Sequence, residues 1–145
     1  MTMPVNLEHL PLPVTPPLLT LLGDECKRAG VDLTNVTTLT FHFRNPRYHP
    51  DTAGVHPVDI CLVCQAGCWC FDYITDFSYQ DFGPDAELGK ELDFKFLNGE
   101  HRLQGWGPLP VKEAEELFTL WQHIFLAYAQ QDVFTVTVST NPREV

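Results

Sequence analysis

The sequence predicts an α+β domain in which two helices pack on one face of a largely antiparallel sheet of about six strands. Two segments carry apolar residues at helical spacing, and several shorter segments alternate apolar and polar residues with a period of two. Most of the alternating segments occur in pairs joined by turn residues, which favours antiparallel neighbours. The 145 residues include 44% hydrophobic and 19% charged ones. Because a chain of this length buries a sizeable core without disulfides, we expect a single domain over residues 1–145.

The first helix is predicted over residues 16–29. Thr15 suits the N-cap and Pro16 the first turn, while Gly30 is typical of the residue that follows a helix. Residues 1–15 are rich in proline, which removes backbone donors and favours extended chain. We therefore expect this N-terminal segment to form a loose, extended arm.

A second helix is predicted in the C-terminal third of the chain. Its apolar residues recur at the i, i+3, i+4 and i+7 spacing of a buried helix face: Ala114, Leu117, Phe118, Trp121, Ile124, Phe125 and Tyr128. Leu126 lies off this stripe, and Trp106 lies between two glycines ahead of the helix. Both are candidate interface residues, because an exposed apolar side chain is suited to contact with a partner protein.

The central hairpin of the sheet is predicted around a two-residue turn at 66–67. In this register Leu62 faces Phe71, and Ile60 faces Tyr73. The same register assigns the large aromatic residues of the second strand to the core face: Trp69, Phe71, Tyr73, Phe77 and Tyr79. Polar residues of both strands then fall on the outer face.

Four further segments complete the predicted sheet. A first strand is indicated by the alternation of apolar and polar residues over 39–44. Asn98-Gly99 is a strong hairpin signal, and it joins an alternating segment that ends at Phe96 to a further strand over residues 100–106. A closing strand is predicted around residues 134–139, where apolar residues alternate with threonine and serine.

Polar residues on the outer face and in a neighbouring loop form the candidate ligand-binding set. Asp59 lies on the outer face of the predicted hairpin with Asp72 and Asp76 as diagonal neighbours. His42 and Arg44 join them if the first strand pairs alongside. Diagonal neighbours on adjacent strands lie ~7 Å apart. Carboxylates and histidines this close to one another can hold a cation or transfer protons. The alternative is that they pair only with one another and with solvent. The complete set is Arg44, Tyr48, His49, His56, Asp59, Asp72 and Asp76.

Four of the five cysteines lie between residues 61 and 70. Four thiolates suit a tetrahedral zinc ion. In the predicted hairpin, however, Cys61, Cys68 and Cys70 point outward. Cys64 points into the core, so the four sulfur atoms do not converge. We therefore interpret them as reduced structural thiols, with a metal or redox role as the alternative, and we predict no metal site and no cofactor.

The formal net charge of −10 limits the partners of this protein. An acidic surface repels phosphates, which disfavours direct binding to nucleic acid and to anionic membranes. No apolar run approaches the ~20 residues of a membrane helix, and the N-terminus has no secretion signal. We therefore expect a cytoplasmic location.

Four strings of residues carry a family resemblance: FRNPRY at 43–48, HPVDI at 56–60, FDYITDFSY at 71–79 and ELFTLWQ at 116–122. In order and spacing, from about residue 36 to residue 139, the chain resembles an uncharacterised bacterial family, domain of unknown function 2787. The resemblance implies a cytosolic bacterial protein from a family found largely in gammaproteobacteria and sometimes beside mobile elements. It implies no catalytic residue and no cofactor, and the clustered cysteines are not part of its pattern.

The sequence leaves three functional interpretations open. The leading one is a small non-enzymatic protein-interaction module with an unidentified protein partner, because the apolar residues serve one core and no convergent catalytic set is visible. The second is a small-molecule or metal-dependent binder or enzyme that uses the outer-face carboxylates and loop histidines. The third is an acidic decoy that occupies a DNA-binding protein. An exposed apolar patch would favour the first, a pocket with perturbed titrating groups the second, and acids clustered on one face the third.

Overall fold

The architecture is an open antiparallel sheet covered on one face by two helices. In a computed structural model, which describes residues 5–6, 10–48, 55–79, 88–104 and 107–142, the elements follow in this order: α1 (Pro16–Ala29), β1 (Val36–Arg44), β2 (Val58–Gln65), β3 (Cys68–Tyr79), β4 (Leu88–Lys95), β5 (His101–Leu103), β6 (Gly107–Pro108), α2 (Val111–Gln130) and β7 (Thr135–Pro142). The strand order is β6-β5-β4-β3-β2-β1-β7, and every neighbouring pair is antiparallel. The predicted α+β class is confirmed. Within the described residues the sheet has seven strands, rather than about six, because the short β6 pairs with β5.

Helix α1 has the bounds that the sequence predicts. It begins at Pro16 after the N-cap residue Thr15, and Gly30 ends it in the left-handed conformation with φ of 70°. Glycine adopts this conformation without a side-chain clash, which is why it commonly terminates helices. Leu18 and Leu22 are fully buried, so this face of α1 packs into the core shared with α2 and the sheet.

The N-terminal arm is attached to the core, rather than loose, where the structure describes it. Leu12 is 2% exposed and belongs to the core cluster. The buried Gln122 of α2 holds the same segment: its Oε1 accepts hydrogen bonds from the backbone N and the hydroxyl of Thr15, at 2.9 and 3.2 Å. Its Nε2 donates to the carbonyl of Pro13 at 3.0 Å. Proline keeps the segment extended, and these tertiary contacts fix its position.

Replacing Gln122 with alanine is expected to detach this segment from α2. Partly buried backbone groups of Thr15 and Pro13 would lose their partners, which costs about 1–3 kcal/mol of unfolding free energy. Amide hydrogen exchange should accelerate over residues 10–15 and remain slow in the central strands. Gln130→Ala alters an exposed glutamine of the same helix and should change neither exchange nor stability. Unchanged exchange in Gln122→Ala would mean that apolar burial alone holds the arm.

The central hairpin turns where the sequence predicts, but its register changes midway. Leu62 faces Phe71, as predicted. Ile60 faces Ile74, so the predicted pairing with Tyr73 was wrong. The difference is a β-bulge that adds one residue to β3 between these two pairs. Because side chains alternate between faces, one extra residue reverses the orientation of those that follow.

The bulge divides the predicted aromatic core. Trp69 and Phe71 precede it and are buried. Tyr73 and Phe77 follow it and are only half-buried on the outer face, so their assignment to the core face was wrong. Asp76, predicted on the outer face, is 8% exposed and points to the helix-covered side. A single inserted residue thus moves a carboxylate from the outer face into the interior.

Helix α2 buries a narrower stripe than the sequence predicts. Its buried residues are Ala114, Phe118, Trp121, Gln122 and Phe125. Ile124 and Tyr128, which the helical spacing assigns to the buried face, are 45% and 37% exposed. Leu126, predicted as an exposed contact, is half-buried and packs against the core. The predicted stripe of seven residues spans a wider part of the α2 surface than the sheet covers. The residues at the edge of the stripe therefore stay accessible to solvent.

Candidate functional site

A half-open cavity of about 250 Å³ lies between α2 and the starts of β2 and β7. Its lining consists of Val55, His56, Val58, Asp76, Trp121, Ile124, Phe125, Tyr128 and Phe134. Most of these side chains are apolar, and His56 and Asp76 supply a hydrogen-bonded polar pair in one wall. A concave apolar site with a few convergent polar groups is typical of a binding site.

Asp76 is the polar centre of the cavity wall. Its Oδ1 accepts a hydrogen bond from Nδ1 of His56 at 2.7 Å, and its Oδ2 accepts one from Nε1 of Trp121 at 3.0 Å. An ionised carboxylate only accepts hydrogen bonds, so both nitrogen atoms carry a proton. The bulge in β3 turns Asp76 to this side of the sheet, where α2 places Trp121. Both carboxylate oxygens are therefore engaged before any ligand binds.

His56 is the titrating group of the cavity. The hydrogen bond to Asp76 raises the pKa of His56 above its ordinary value of 6.5, burial opposes this rise, and the negative charges of Asp76 and Glu91 add to it. The charged imidazolium therefore persists to a higher pH than it does in an unperturbed histidine. The side chain of His56 is 40% exposed, so it can present a proton to a molecule in the cavity.

Tyr48 supports the chain beside His56. The backbone N of Tyr79 donates to the hydroxyl of Tyr48 at 3.1 Å, and the two rings stack with centroids 5.2 Å apart. The Tyr48 ring also meets the His56 ring edge to face at 5.5 Å. Tyr48 thus positions the wall of the cavity without lining it. His49 and Trp106, the other candidates outside the strands and helices, lie outside the described residues.

The other predicted ligand-binding residues lie on the outer face of the sheet. Asp59 Oδ1 is 2.9 Å from Nη2 of Arg44 and 2.9 Å from Nδ1 of His42, so the predicted pairing across β1 and β2 brings these three together. Asp76 does not join them because it faces the cavity. Asp72 occupies the bulge, where its charge contributes to raising the pKa values of Cys61 and Tyr73. The predicted set is therefore divided between two faces.

Ser139 of β7 is a site residue that sequence reasoning missed. Its Oγ is 2.9 Å from Nε2 of His42, although the two residues are 97 positions apart in the chain. The alternation of β7 indicates that Ser139 shares a face with the threonines. Only the pairing of β7 with β1 shows that Ser139 lies beside His42. Trp121 and Gln122 were missed for the same reason, since their polar atoms meet partners from distant segments.

The cysteines differ in how deeply they are buried, and they do not all lie on one face of the sheet. Burial raises the pKa of Cys26 to about 11, and it also raises the pKa values of Cys61 and Cys70. Cys68 is exposed and Cys64 is half-buried. Among the residues that the structure describes, no three His, Cys, Asp or Glu side chains are grouped so that they could hold a metal ion. Protonated thiols in different surroundings are poor metal ligands.

These features define an α+β protein with a seven-stranded antiparallel sheet, a cavity on its helix-covered side and a polar cluster on its outer face. The chain belongs to the family described as protein of unknown function DUF2787, whose model matches residues 16–139. The family resemblance of the sequence is thereby confirmed.

Two solved structures from Vibrio cholerae are similar to this chain. The hypothetical protein VC0508 from the VSP-II pathogenicity island is 32% identical, with a TM-score of 0.85, over 94% of this chain and 99% of that one. The hypothetical protein VC1805 from pathogenicity island VPI-2, described as sharing structural homology with the human P32 protein, is 31% identical, with a TM-score of 0.78, over 91% and 98%. No curated protein matches the chain. In the described part of the chain, no helix has the length and apolar character needed to span a membrane.

Proposed function

We propose that this protein is a small protein-interaction module that receives an apolar side chain of a partner protein in the cavity beside α2. The observation that carries this proposal is the continuity between the cavity and exposed apolar residues of the helix. Ile124 and Tyr128 line the cavity and are 45% and 37% exposed, and Leu120, one turn earlier, is 57% exposed. A group of exposed apolar residues beside a concave site favours a surface that a partner covers.

The size of the cavity favours one inserted side chain over a larger ligand. Sites for drug-sized molecules typically measure ~300–1,000 Å³, whereas this cavity measures about 250 Å³. Trp121 and Phe125 stack with centroids 4.9 Å apart at an interplanar angle of 9°, which gives part of the wall a flat aromatic surface. An aromatic side chain fits such a wall, and His56 in its protonated form would donate a hydrogen bond to a neighbouring carbonyl of the partner.

A small molecule of similar size is the second candidate occupant. The His56–Asp76 pair favours it, because a fixed hydrogen-bonded polar pair in an apolar wall suits a ligand with an apolar body and one hydrogen-bond acceptor. Of the three functions, the acidic decoy has the least support. Asp59, Asp76 and Asp93 each lie within 4.0 Å of a basic side chain nitrogen, instead of forming an unpaired acidic row.

An association with mobile elements is a further part of the proposal. Both similar proteins of Vibrio cholerae come from pathogenicity islands, which supports this association for the present chain.

Filling the mouth of the cavity tests the proposed binding site. We expect N-acetyltryptophanamide, a probe for a tryptophan side chain in a polypeptide, to shift the NMR signal of the Trp121 indole N–H in a saturable way. Ile124→Trp should abolish this shift because the new indole occupies the cavity. Leu120→Trp adds the same side chain at an exposed position outside the lining and should preserve it. Saturable binding of benzoate without binding of the amide would favour the small-molecule candidate.

Photo-crosslinking tests whether the occupant belongs to a protein. A photoreactive amino acid at position 120 should capture a discrete protein in bacterial cells, whereas one at the exposed position 112 of the same helix should not. Ile124→Trp should prevent the capture. Equal crosslinking from both positions, or capture that survives the filled cavity, would contradict the proposal.

A further inference from the structure

The outer face of the sheet carries a hydrogen-bonded relay of three side chains from adjacent strands. Asp59 of β2, His42 of β1 and Ser139 of β7 form this relay. His42 Nδ1 lies 2.9 Å from Asp59 Oδ1, and His42 Nε2 lies 2.9 Å from Ser139 Oγ. The strand order β2-β1-β7 fixes this sequence of side chains, because each member lies on the strand next to that of its partner.

When the imidazole of His42 is neutral, the Asp59 carboxylate and the Ser139 hydroxyl determine which ring nitrogen carries the hydrogen. The carboxylate of Asp59 only accepts, so Nδ1 of His42 carries the hydrogen of that bond. In a neutral imidazole the other nitrogen, Nε2, is then the acceptor. In this neutral form the hydroxyl of Ser139 donates its hydrogen to Nε2. In this arrangement an imidazole can take the proton of a serine hydroxyl as the oxygen attacks an electrophile.

Arg44 holds the carboxylate end of the relay in place. Its Nη2 is 2.9 Å from Asp59 Oδ1, and its Nη1 donates to the backbone carbonyls of Phe43 and Val58 at 3.1 and 3.2 Å. Its guanidinium also lies over the ring of Phe77, 5.8 Å from the centroid. An arginine fixed by several contacts restrains Asp59, and Asp59 in turn orients the imidazole.

Exposure rises along the relay from the acid to the hydroxyl. The side chain of Asp59 is 15% exposed and that of His42 is 26% exposed, while Ser139 is classed among the exposed residues. The imidazole of His42 is therefore partly sheltered from water, and the hydroxyl of Ser139 is accessible to a molecule in solution.

We propose that Ser139 is an activated nucleophile that accepts an acyl group from a small activated ester, with His42 as the general base and Asp59 as a positioning residue. Ser139 Oγ forms a bond to the carbonyl carbon, its proton passes to Nε2 of His42, and the bond from that carbon to the leaving group breaks. With p-nitrophenyl acetate the products are acetyl-Ser139 and p-nitrophenolate, and His42 releases the proton to solvent. Water activated by His42 then hydrolyses the acetyl ester, which yields acetate and restores Ser139.

The open position of the relay restricts the substrate class. Water screens the electrostatic stabilisation of the negative oxygen that forms during acyl transfer. Donors with a good leaving group need less of this stabilisation than peptide bonds do. Activated esters and thioesters are therefore the class of acyl donor that suits Ser139.

Reaction with p-nitrophenyl acetate followed by peptide mapping tests the proposal. We expect acetylation of Ser139 in the full chain, and we expect His42→Ala to slow this acetylation by about 10²-fold. Ser139→Ala should remove the modified peptide. Thr119→Ala alters an exposed hydroxyl residue of α2, on the opposite side of the sheet, and is the matched control, with unchanged acetylation of Ser139. Acetylation at the same rate in His42→Ala, or the absence of acetyl-Ser139 in the parent protein, would overturn the proposal.

The positioning role of Asp59 has a spectroscopic test. In Asp59→Asn the side-chain amide no longer requires a proton on Nδ1, so the ¹⁵N chemical shifts of His42 should report a changed tautomer balance together with slower acetylation. Unchanged ¹⁵N shifts would contradict this role. Ile124→Trp fills the cavity on the opposite side of the sheet and should leave the acetylation of Ser139 unaltered, so this test is independent of the proposed protein-interaction function.

Discussion

Alanine in place of Phe118 is expected to lower the free energy of unfolding by about 3–5 kcal/mol. Phe118 is fully buried, and its ring meets Phe94 edge to face at 5.2 Å. The rings of Phe96 and Trp121 lie 5.9 and 5.8 Å away. Truncation would leave a void between α2 and the sheet that neither rigid element can close. Equilibrium unfolding in urea or guanidinium chloride measures the loss as a lower transition midpoint.

Leu120→Ala is the matched control for this prediction. Leu120 lies on the same helix, but it is 57% exposed, so its truncation should change the stability by less than about 0.5 kcal/mol. Comparable losses at positions 118 and 120 would be inconsistent with α2 packing on the sheet through its Phe118 side.

Asp76→Ala is expected to produce the second large effect, a loss of about 1–3 kcal/mol of unfolding free energy together with an altered pH dependence. The variant removes the buried acceptor of the Trp121 indole N–H and the hydrogen-bond partner of His56. Asp76→Asn separates the two contributions. Its amide oxygen can still accept from Trp121, so it should retain most of the stability, but it lacks the charge that favours imidazolium at position 56.

The pH dependence has a definite sign. The pKa of His56 in the folded protein lies above its ordinary value of 6.5, so this residue's contribution to stability is complete below pH 6.5 and is lost as the pH rises through the folded-state pKa. Burial lowers the pKa of His101, which acts in the opposite sense by reducing stability as the pH falls through 6.5. The relevant quantity is therefore the difference between the parent protein and Asp76→Asn.

This difference should be largest at and below pH 6.5 and shrink above it. Unfolding curves recorded at a series of pH values measure it. His123→Gln, at an exposed position on α2, is the control and should keep the pH dependence of the parent protein. A difference that grows as the pH rises would contradict the assigned direction of the His56 shift.

Several elements of the fold follow from local sequence, and the structure confirms them. Pro16 and Gly30 mark the ends of α1, because one suits the first turn and the other suits a left-handed residue. The turn at 66–67 places both residues at positive φ, 51° and 80°, in agreement with a tight two-residue hairpin. Such features depend on neighbouring residues, so the sequence predicts them reliably.

The register of β3 could not be predicted in the same way. The extra residue of its bulge has no distinctive sequence signal, since the segment around Asp72 continues to alternate aromatic and polar residues. β2 and β3 pair on both sides of this point, near their shared turn and near their far ends. Between the two paired regions β3 has one residue more than β2, and this extra residue forms the bulge. It sends Asp76 to the cavity and Tyr73 to the outer face. A prediction based on strict alternation of side chains therefore misses this reversal of side-chain orientation in β3.

The sequence by itself determined the α+β class, the bounds of α1, the position of the central turn and the acidic charge, because each depends on composition or on residues close together in the chain. Only the tertiary structure decided which polar groups meet. His56 joins Asp76 and Trp121, and His42 joins Ser139, through pairings set by strand register and helix packing. Hydrogen bonds between side chains as many as 107 positions apart depend on that packing, and no local sequence pattern predicts them.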